Sequence, residues 1–366
     1  MEIRSVGVEE ELLLVDTSQH RPAAVADEVI AEASPADPGS QPPVEHEFKQ
    51  EQVEIGSTAG TSMPDLHADL VRRRGAAAEA AQARGSTIVA IGTSPWKSSP
   101  SMTATPRYQR MTREYGLLAR QQLACGQHVH VGIDSRAEGV GVLDRIRGWL
   151  PVLTAMSANS PFWQGQDTGY QSFRSVLWGR WPTAGPTEIF GTEAGYDAAI
   201  AELLQSGTTF DDGMIYFDAR LSARYPTVEV RVPDVCTDVR DAVLLAALAR
   251  ALVDTAAGWW RAGQPAPPVR TTLLRAASWR AARSGLTGEL VDPRTGTPVG
   301  CWQLVNELIE QLGPALRRCG DEQLVAAGLA RLRAHGTGAD RQRSSFAARG
   351  SLRDVVTDAA ARTLDG

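Results

Sequence analysis

Three short segments place ionisable side chains two residues apart, the spacing at which a β-strand turns them to one face. In Gly7–Glu11 the pair is Glu9 and Glu11, while Val8, Glu10, Leu12 and Leu14 face the other way. In Gln127–Val131 it is His128 and His130, alternating with Val129 and Val131. In Val228–Val232 it is Glu229 and Arg231. Paired in one sheet, these segments would pave its open surface with carboxylates, imidazoles and a guanidinium. Taken singly, each is equally what the solvated face of an antiparallel sheet shows. Their coincidence is what points to a site. A fourth segment, Val44–Ser57, reads as another strand, with Glu45, Glu47, Glu51 and Glu54. Glu47 and Glu54 are seven residues apart, so a strand without a bulge turns them to opposite faces.

The donor set bears on the metal. A zinc-dependent, amidohydrolase-type hydrolase built on His128 and His130 is the rival reading, but catalytic zinc normally takes further His or Cys ligands. The chain has six histidines: His20, His46, His67, His128, His130 and His335. An excess of carboxylate suits Mg²⁺ or Mn²⁺. Such ions beside an arginine suit the phosphates of a nucleoside triphosphate. Only two lysines occur, Lys49 and Lys97, and the other 35 basic residues are arginine. Phosphate handling therefore falls to arginine, metal or backbone. Neither lysine sits in a GxxxxGK[ST] loop, no GxGxxG opens a helix after a strand, and GxSxG is absent.

A second cluster, Gly169–Pro182, crowds Tyr170, Ser172, Arg174, Trp178, Arg180 and Trp181 into one loop-rich stretch. Arginine among aromatic walls can fork onto a carboxylate, although tryptophan packing accounts for part of the pattern. A third, Gly338–Arg343, reads as a structural helix N-terminus with surface arginines.

The elements that must hold these residues are strands separated by helices, then a helical tail, which is an α+β organisation. Ile3–Asp16 reads as a strand, and Asp16–Gln19 as a turn into a second one. Pro35–Pro43 is a loop. A helix runs from Ser62–Asp65 to about Arg84, with Gly85 past its end. Ser86–Thr93 and Cys125–Asp134 read as strands; Arg107–Gln122 and Val140–Ser157 as helices. Ala158–Gly195 lacks periodicity and is long enough to suggest a functional segment. Met214–Asp218 and Thr227–Val232 follow as strands. Helices are expected over Val239–Arg261, Thr271–Arg283, Cys301–Arg318, Asp321–His335 and Leu352–Leu364, with a hairpin near Asp292–Gly296. The reach of the site from Glu9 to Arg231 argues for one catalytic domain over 1–366, strand-rich to about 235 and mostly helical over 236–366.

Composition is that of a globular protein, 43% hydrophobic and 22% charged. A net charge of −6 disfavours a nucleic-acid partner. Cys125, Cys236, Cys301 and Cys319 show no CxxC spacing, so reduced thiols are expected. The first residues, acidic from Glu2, do not read as a signal peptide. The apolar run Ala242–Trp260 is interrupted by Arg250 and Asp254 and reads as a buried helix rather than a membrane span. The expected location is cytoplasmic.

Together GVEEELLLVD, EQVEIGST, IGTSPW, GQHVHVGI, QSFRSVLWGRWPTAGP, TVEVRVPD and GTGADRQR, in this order along essentially the whole chain, resemble the YbdK-like carboxylate–amine ligases, also called type 2 glutamate–cysteine ligases. The resemblance implies a glutamine-synthetase-like catalytic fold, a curved antiparallel sheet with helices packed on its back. Carried over by motif, Glu9, Glu11, Glu54, His128 and Glu229 would hold Mg²⁺ or Mn²⁺. Arg231 and His128 would contact the phosphates of ATP, with Arg231 and Glu229 the catalytic pair. Glu47 matches loosely; with His130, Tyr170, Arg174 and Arg180 it falls on the substrate side. The implied reaction is ATP-dependent amide formation through an acyl phosphate, from a small carboxylate such as glutamate to an amine. A catalytically silent ligase-fold binding protein is the non-enzymatic alternative, and a homodimer is compatible with the family.

Overall fold

The computed structural model describes residues 2–33 and 44–365; the loop expected over 35–43 lies outside them. Its strands are β1 (Val6–Asp16), β2 (Glu45–His46), β3 (Gln52–Gly56), β4 (Ser86–Val89), β5 (Gln127–Gly132), β6 (Phe162–Trp163), β7 (Gln166–Asp167), β8 (Ala219–Leu221), β9 (Thr227–Val230), β10 (Glu289–Val291) and β11 (Pro298–Gly300). The main sheet runs β2-β3-β1-β5-β9-β8, with β4 also on β1, and all its pairings are antiparallel. β6–β7 and β10–β11 are separate ribbons.

β1 organises the sheet because its alternation gives it two unlike faces. Val6, Val8, Leu12 and Leu14 are buried on the back, where burial of each large aliphatic side chain contributes roughly 1.5–3 kcal/mol. Glu10 falls on that same back face. It survives there because Arg74, from helix Met63–Gln82, clamps it with two bonds of 2.8 and 2.6 Å. The guanidinium also donates to the carbonyls of Cys236, Thr237 and Thr363. The central glutamate of the Glu9–Glu11 run is thus a strut, and its two neighbours face the open side.

Helix Val239–Arg261 is buried behind the sheet as expected from the sequence. It is long and apolar enough to cross a membrane, yet 83% of its apolar window is buried inside the protein. The later helices, Thr271–Ser284, Cys301–Cys319, Glu322–His335 and Leu352–Leu364, also match expectation, with Gly338–Arg349 a full helix between the last two.

Several boundaries differ from the sequence reading. Val44–Ser57 is not one strand: the chain reverses between β2 and β3, which pair antiparallel. Asp16 accepts the backbone N–H groups of Ser18, Gln19 and Arg21. The turn it fixes leads to a single bridge, Val15 to Pro22, and then to helix Ala26–Ala33 rather than a second strand. Arg107–Gln122 is broken at Gly116, whose φ of 53° leaves the helical region. Val140–Ser157 is two helices, Arg136–Ile146 and Leu150–Ser157, the second begun by Pro151, which has no N–H to offer a preceding turn. Met214–Asp218 is not a strand; a 3₁₀ turn at Asp212–Met214 precedes β8. The long Ala158–Gly195 segment carries β6, β7 and helix Phe173–Trp178, capped by the Ser172 hydroxyl.

Candidate active site

The register of the sheet converts the two-residue spacings into contacts. Glu9 stands opposite His128, Glu11 opposite Glu54, His130 opposite Glu229, and Glu229 opposite Arg220. Glu9 carries one oxygen 3.4 Å from His128 Nδ1 and the other 3.3 Å from His130 Nε2. His128 Nδ1 lies 3.8 Å from Glu229, and its Nε2 lies 3.9 Å from Glu11. Glu229 accepts from Arg220 Nε at 2.7 Å and from Arg231. The result is a cleft of about 570 Å³ over the open face, lined by all eight of Glu9, Glu11, Glu47, Glu54, His128, His130, Glu229 and Arg231.

Glu47 and Glu54 therefore share the cleft, contrary to their odd spacing, because they lie on either side of a chain reversal rather than on one strand. With Glu11 they place oxygens within 4.8 Å of one another. Glu9, Glu54 and His128 form a second such group, and Glu9, His130 and Glu229 a third. Close, buried carboxylates repel. Burial, the Glu47 charge and then those of Glu9 and Glu11 push Glu54 well above the usual carboxylate range. Burial and the Glu11 charge push Glu47 up to about 7. For Glu9, burial acts upward, but hydrogen bonds with His128 and His130 outweigh it and hold the carboxyl below its usual range. Burial also acts upward on Glu229, and the Arg231 and Arg220 charges bring it down to about 2. His128 is lowered by burial and by the Arg231 charge, which favours the neutral imidazole that a metal requires.

A divalent cation fits this set. His128 Nε2 is buried and has no hydrogen-bond partner among the described residues, a state that a buried polar atom rarely keeps without a ligand. One of the three groups is entirely carboxylate and each of the other two pairs two glutamates with one imidazole, the chemistry of Mg²⁺ or Mn²⁺ rather than of a histidine-rich zinc centre.

The remaining expected residues lie elsewhere. Arg174 is buried, donating to the carbonyls of Arg231 and Val232 at 3.4 and 3.3 Å. It lines a second, smaller cavity behind Arg231 rather than the main cleft. Arg180 is exposed, its Nε bonded to the Leu177 carbonyl. The Tyr170 hydroxyl accepts from the Trp279 indole, and neither Arg180 nor Tyr170 lines the cleft. The Gly169–Pro182 segment is therefore divided: Trp178 and Trp181 line the cleft, Arg174 and Trp178 line the smaller cavity, and Tyr170 and Arg180 line neither.

Sequence reasoning missed Arg220, which grips Glu229, and Phe48, Tyr108 and Tyr216 at the aromatic end of the cleft, although it singled out Trp181 beside them. At the opposite end, helix Glu193–Gln205 offers Ile200, Ala201 and Leu204.

The family model described as Glutamate-cysteine ligase family 2 (GCS2) matches residues 5–358. A Frankia alni protein named “Putative glutamate--cysteine ligase 2-2” is 52% identical over 365 residues, covering 97% of this chain and 95% of that protein. One from Streptomyces coelicolor, “Putative glutamate--cysteine ligase 2”, is 50% identical and covers 99% of each. Among solved structures, the glutamate–cysteine ligase of Francisella tularensis in complex with AMP superposes with a TM-score of 0.70 at 11% identity, covering all of this chain and 90% of that one. At that identity the likeness speaks for the fold, an antiparallel sheet backed by helices.

Proposed function

The chain belongs to glutamate–cysteine ligase family 2, a family of ATP-dependent carbon–nitrogen ligases, and we propose that it forms an amide through an acyl phosphate, transferring the γ-glutamyl group of glutamate to an amine. The observation that carries this reading is the position of Glu9. It belongs to two of the three ligand groups, and the Glu229 of one of them is also the anchor of Arg231. One face thus combines a polycarboxylate cluster with a fixed guanidinium, as phosphoryl transfer needs.

Mg²⁺ or Mn²⁺ held by Glu9, Glu11, Glu54, His128 and Glu229 would neutralise the phosphate oxygens. Glu229 holds the Arg231 guanidinium in place, and Arg231 faces the equatorial oxygens of the transferring phosphoryl group. Arg220 fixes Glu229 from its other side. The apolar end at Ile200, Ala201 and Leu204 suits the nucleotide base, and the aromatic end beside Glu47 and Glu54 suits the acid. There a γ-carboxylate oxygen attacks the γ-phosphorus and ADP leaves. The amine nitrogen then bonds to the acyl carbon, inorganic phosphate leaves with that oxygen, and the nitrogen gives up a proton. The whole span from β1 to the terminal helices acts as one catalytic unit.

Glutamate labelled with ¹⁸O in its γ-carboxylate tests this directly. With ATP, Mg²⁺ and an amine panel, one labelled oxygen should appear in the released phosphate. Amide product with unlabelled phosphate would refute the acyl phosphate; tightly bound stoichiometric zinc with no ATP turnover would refute the ligase.

A further inference from the structure

Behind Arg231 lies a second cavity of about 220 Å³ that shares Arg231 and Trp178 with the main cleft. Its walls are mostly apolar, with Trp178, Phe217, Pro186 and Trp279 among them. Two opposite charges face it, Asp218 and Arg275. Asp218 is placed by the sheet: the Arg231 N–H donates to its carbonyl at 2.9 Å, extending the β8–β9 ladder one step past Ala219 opposite Val230. That register sets Asp218 beside Arg231 at the margin of the catalytic face. Arg275 comes from helix Thr271–Ser284, its Nη1 3.9 Å from where a Cβ on Gly185 would stand, and the Gly185 carbonyl accepts the Asp218 N–H.

Neither side chain is satisfied from within. Among the described residues the Asp218 carboxylate and the Arg275 guanidinium have no hydrogen bond or ion pair, with each other or with any neighbour. Two other acids of this sheet are clamped by arginine, Glu10 by Arg74 and Glu229 by Arg220 and Arg231. The other two arginines lining the cavity are anchored through their Nη atoms, Arg231 to Glu229 and Arg174 to backbone carbonyls and, at 3.9 Å, to Asp234, with each Nε left without a partner among the described residues. The Asp218 and Arg275 side chains, neither with a hydrogen bond of its own among the described residues, thus border an apolar space that has room for one small amino acid but not for a nucleotide.

We propose that this cavity is the acceptor subsite and that it takes an α-amino acid with an apolar side chain. Its ammonium group meets Asp218, its carboxylate meets Arg275, and its side chain lies against the tryptophans. Burial, opposed by the Arg275 and Arg174 charges, pushes the Asp218 carboxyl up to about 7, as expected of an acid whose cationic partner is a ligand. The apolar walls favour the acceptor over the donor, because a second carboxylate, such as glutamate's own, would gain nothing from them. The assignment rests on the ligase reading for the word acceptor, but the binding site itself does not.

Two measurements separate these. Binding of L-leucine and L-phenylalanine, with isoamylamine and phenethylamine as analogues lacking the carboxylate, is followed by quenching of tryptophan fluorescence excited at the red edge. The amino acids should bind saturably, each more tightly than its analogue. Asp218→Asn and Arg275→Met should each weaken that binding about tenfold or more, with Mg²⁺–ATP binding unchanged within twofold. Arg275 is exposed, so its variant folds even if the Asp218 one does not. No saturable binding to the wild type, variants that bind like the wild type, or analogues that bind equally well would each overturn the site. In steady-state phosphate release the same variants should raise the acceptor KM and leave the glutamate KM within twofold; a shift in the glutamate KM instead assigns the cavity to the donor and overturns the proposal. Wild-type binding that the variants lose, with no glutamate-dependent phosphate release, sinks the ligase reading and leaves the amino-acid site standing.

Discussion

Replacing Glu54 by Gln should make the metal-free protein more stable above neutral pH and less able to hold a divalent cation. Glu11, Glu47 and Glu54 bring oxygens within 4.8 Å of one another. At an effective dielectric constant of about 20, two full charges at that separation repel by about 3 kcal/mol. The sign with pH follows from the raised carboxyls. An unfolded glutamate ionises near 4.5, whereas burial and its neighbours' charges keep Glu54 protonated well above that value and Glu47 to about 7. The folded state is therefore unpenalised below pH 4.5, and it loses stability steadily as pH rises towards the folded values. Gln keeps the shape and an N–H donor towards Glu47, so relief of repulsion is the main change. With about 2.1 cal/mol/K of unfolding entropy per residue, about 3 kcal/mol corresponds to about 4 °C in a chain of this length. Scanning calorimetry in EDTA should show Glu54→Gln melting about 4 °C above wild type at pH 8 and much closer to it at pH 5. Saturating Mg²⁺ should reverse the order at pH 8, because the wild type gains binding energy that the variant loses. A variant that melts lower at pH 8 in EDTA, or whose advantage is the same at both pH values, would refute the carboxylate-repulsion account.

Two further outcomes follow from the placement of the arginines. Glu10→Ala strands the buried Arg74 guanidinium behind the sheet and should cost about 3–5 kcal/mol in urea unfolding; a loss under about 1 kcal/mol would mean the clamp is not buried as described. Arg231→Ala should lower ATP turnover by at least about 10³-fold, whereas Arg180→Ala, exposed and away from the cleft, should stay within twofold; steady-state phosphate release compares the two, and equal effects would contradict the geometry.

What the sequence disclosed, it disclosed through strand periodicity. Glu9 with Glu11, His128 with His130, and Glu229 with Arg231 are each adjacent on one face of one strand, so alternation alone groups them. The same periodicity misleads at Glu47 and Glu54, where the chain reverses between them, and a reversal within a run of charged residues leaves no hydrophobic mark. Arg220 lies on a strand of three residues, too short to show a period, and its value comes from standing opposite Glu229. That is a property of register, which depends on residues outside the segment.

Arg174 shows where composition and placement part. An arginine among tryptophans invites a substrate, yet both its Nη atoms donate to the carbonyls of Arg231 and Val232, and it passes so close to Gly126 that a Cβ there would come within 2.0 Å of it. Gly126 in turn donates to Glu11 at 2.5 Å. One buried arginine thus braces the end of β9, where Arg231 stands, and the backbone that aims Glu11. Part of its importance for chemistry comes from the two residues it holds. The charges left over for a ligand are those with no such duty, Asp218 and Arg275, and neither stands out in the sequence because neither belongs to a motif. In the proposed reading, the motifs of this chain mark where phosphate and metal would be handled. Choice of acceptor, on this argument, resides in the residues between them.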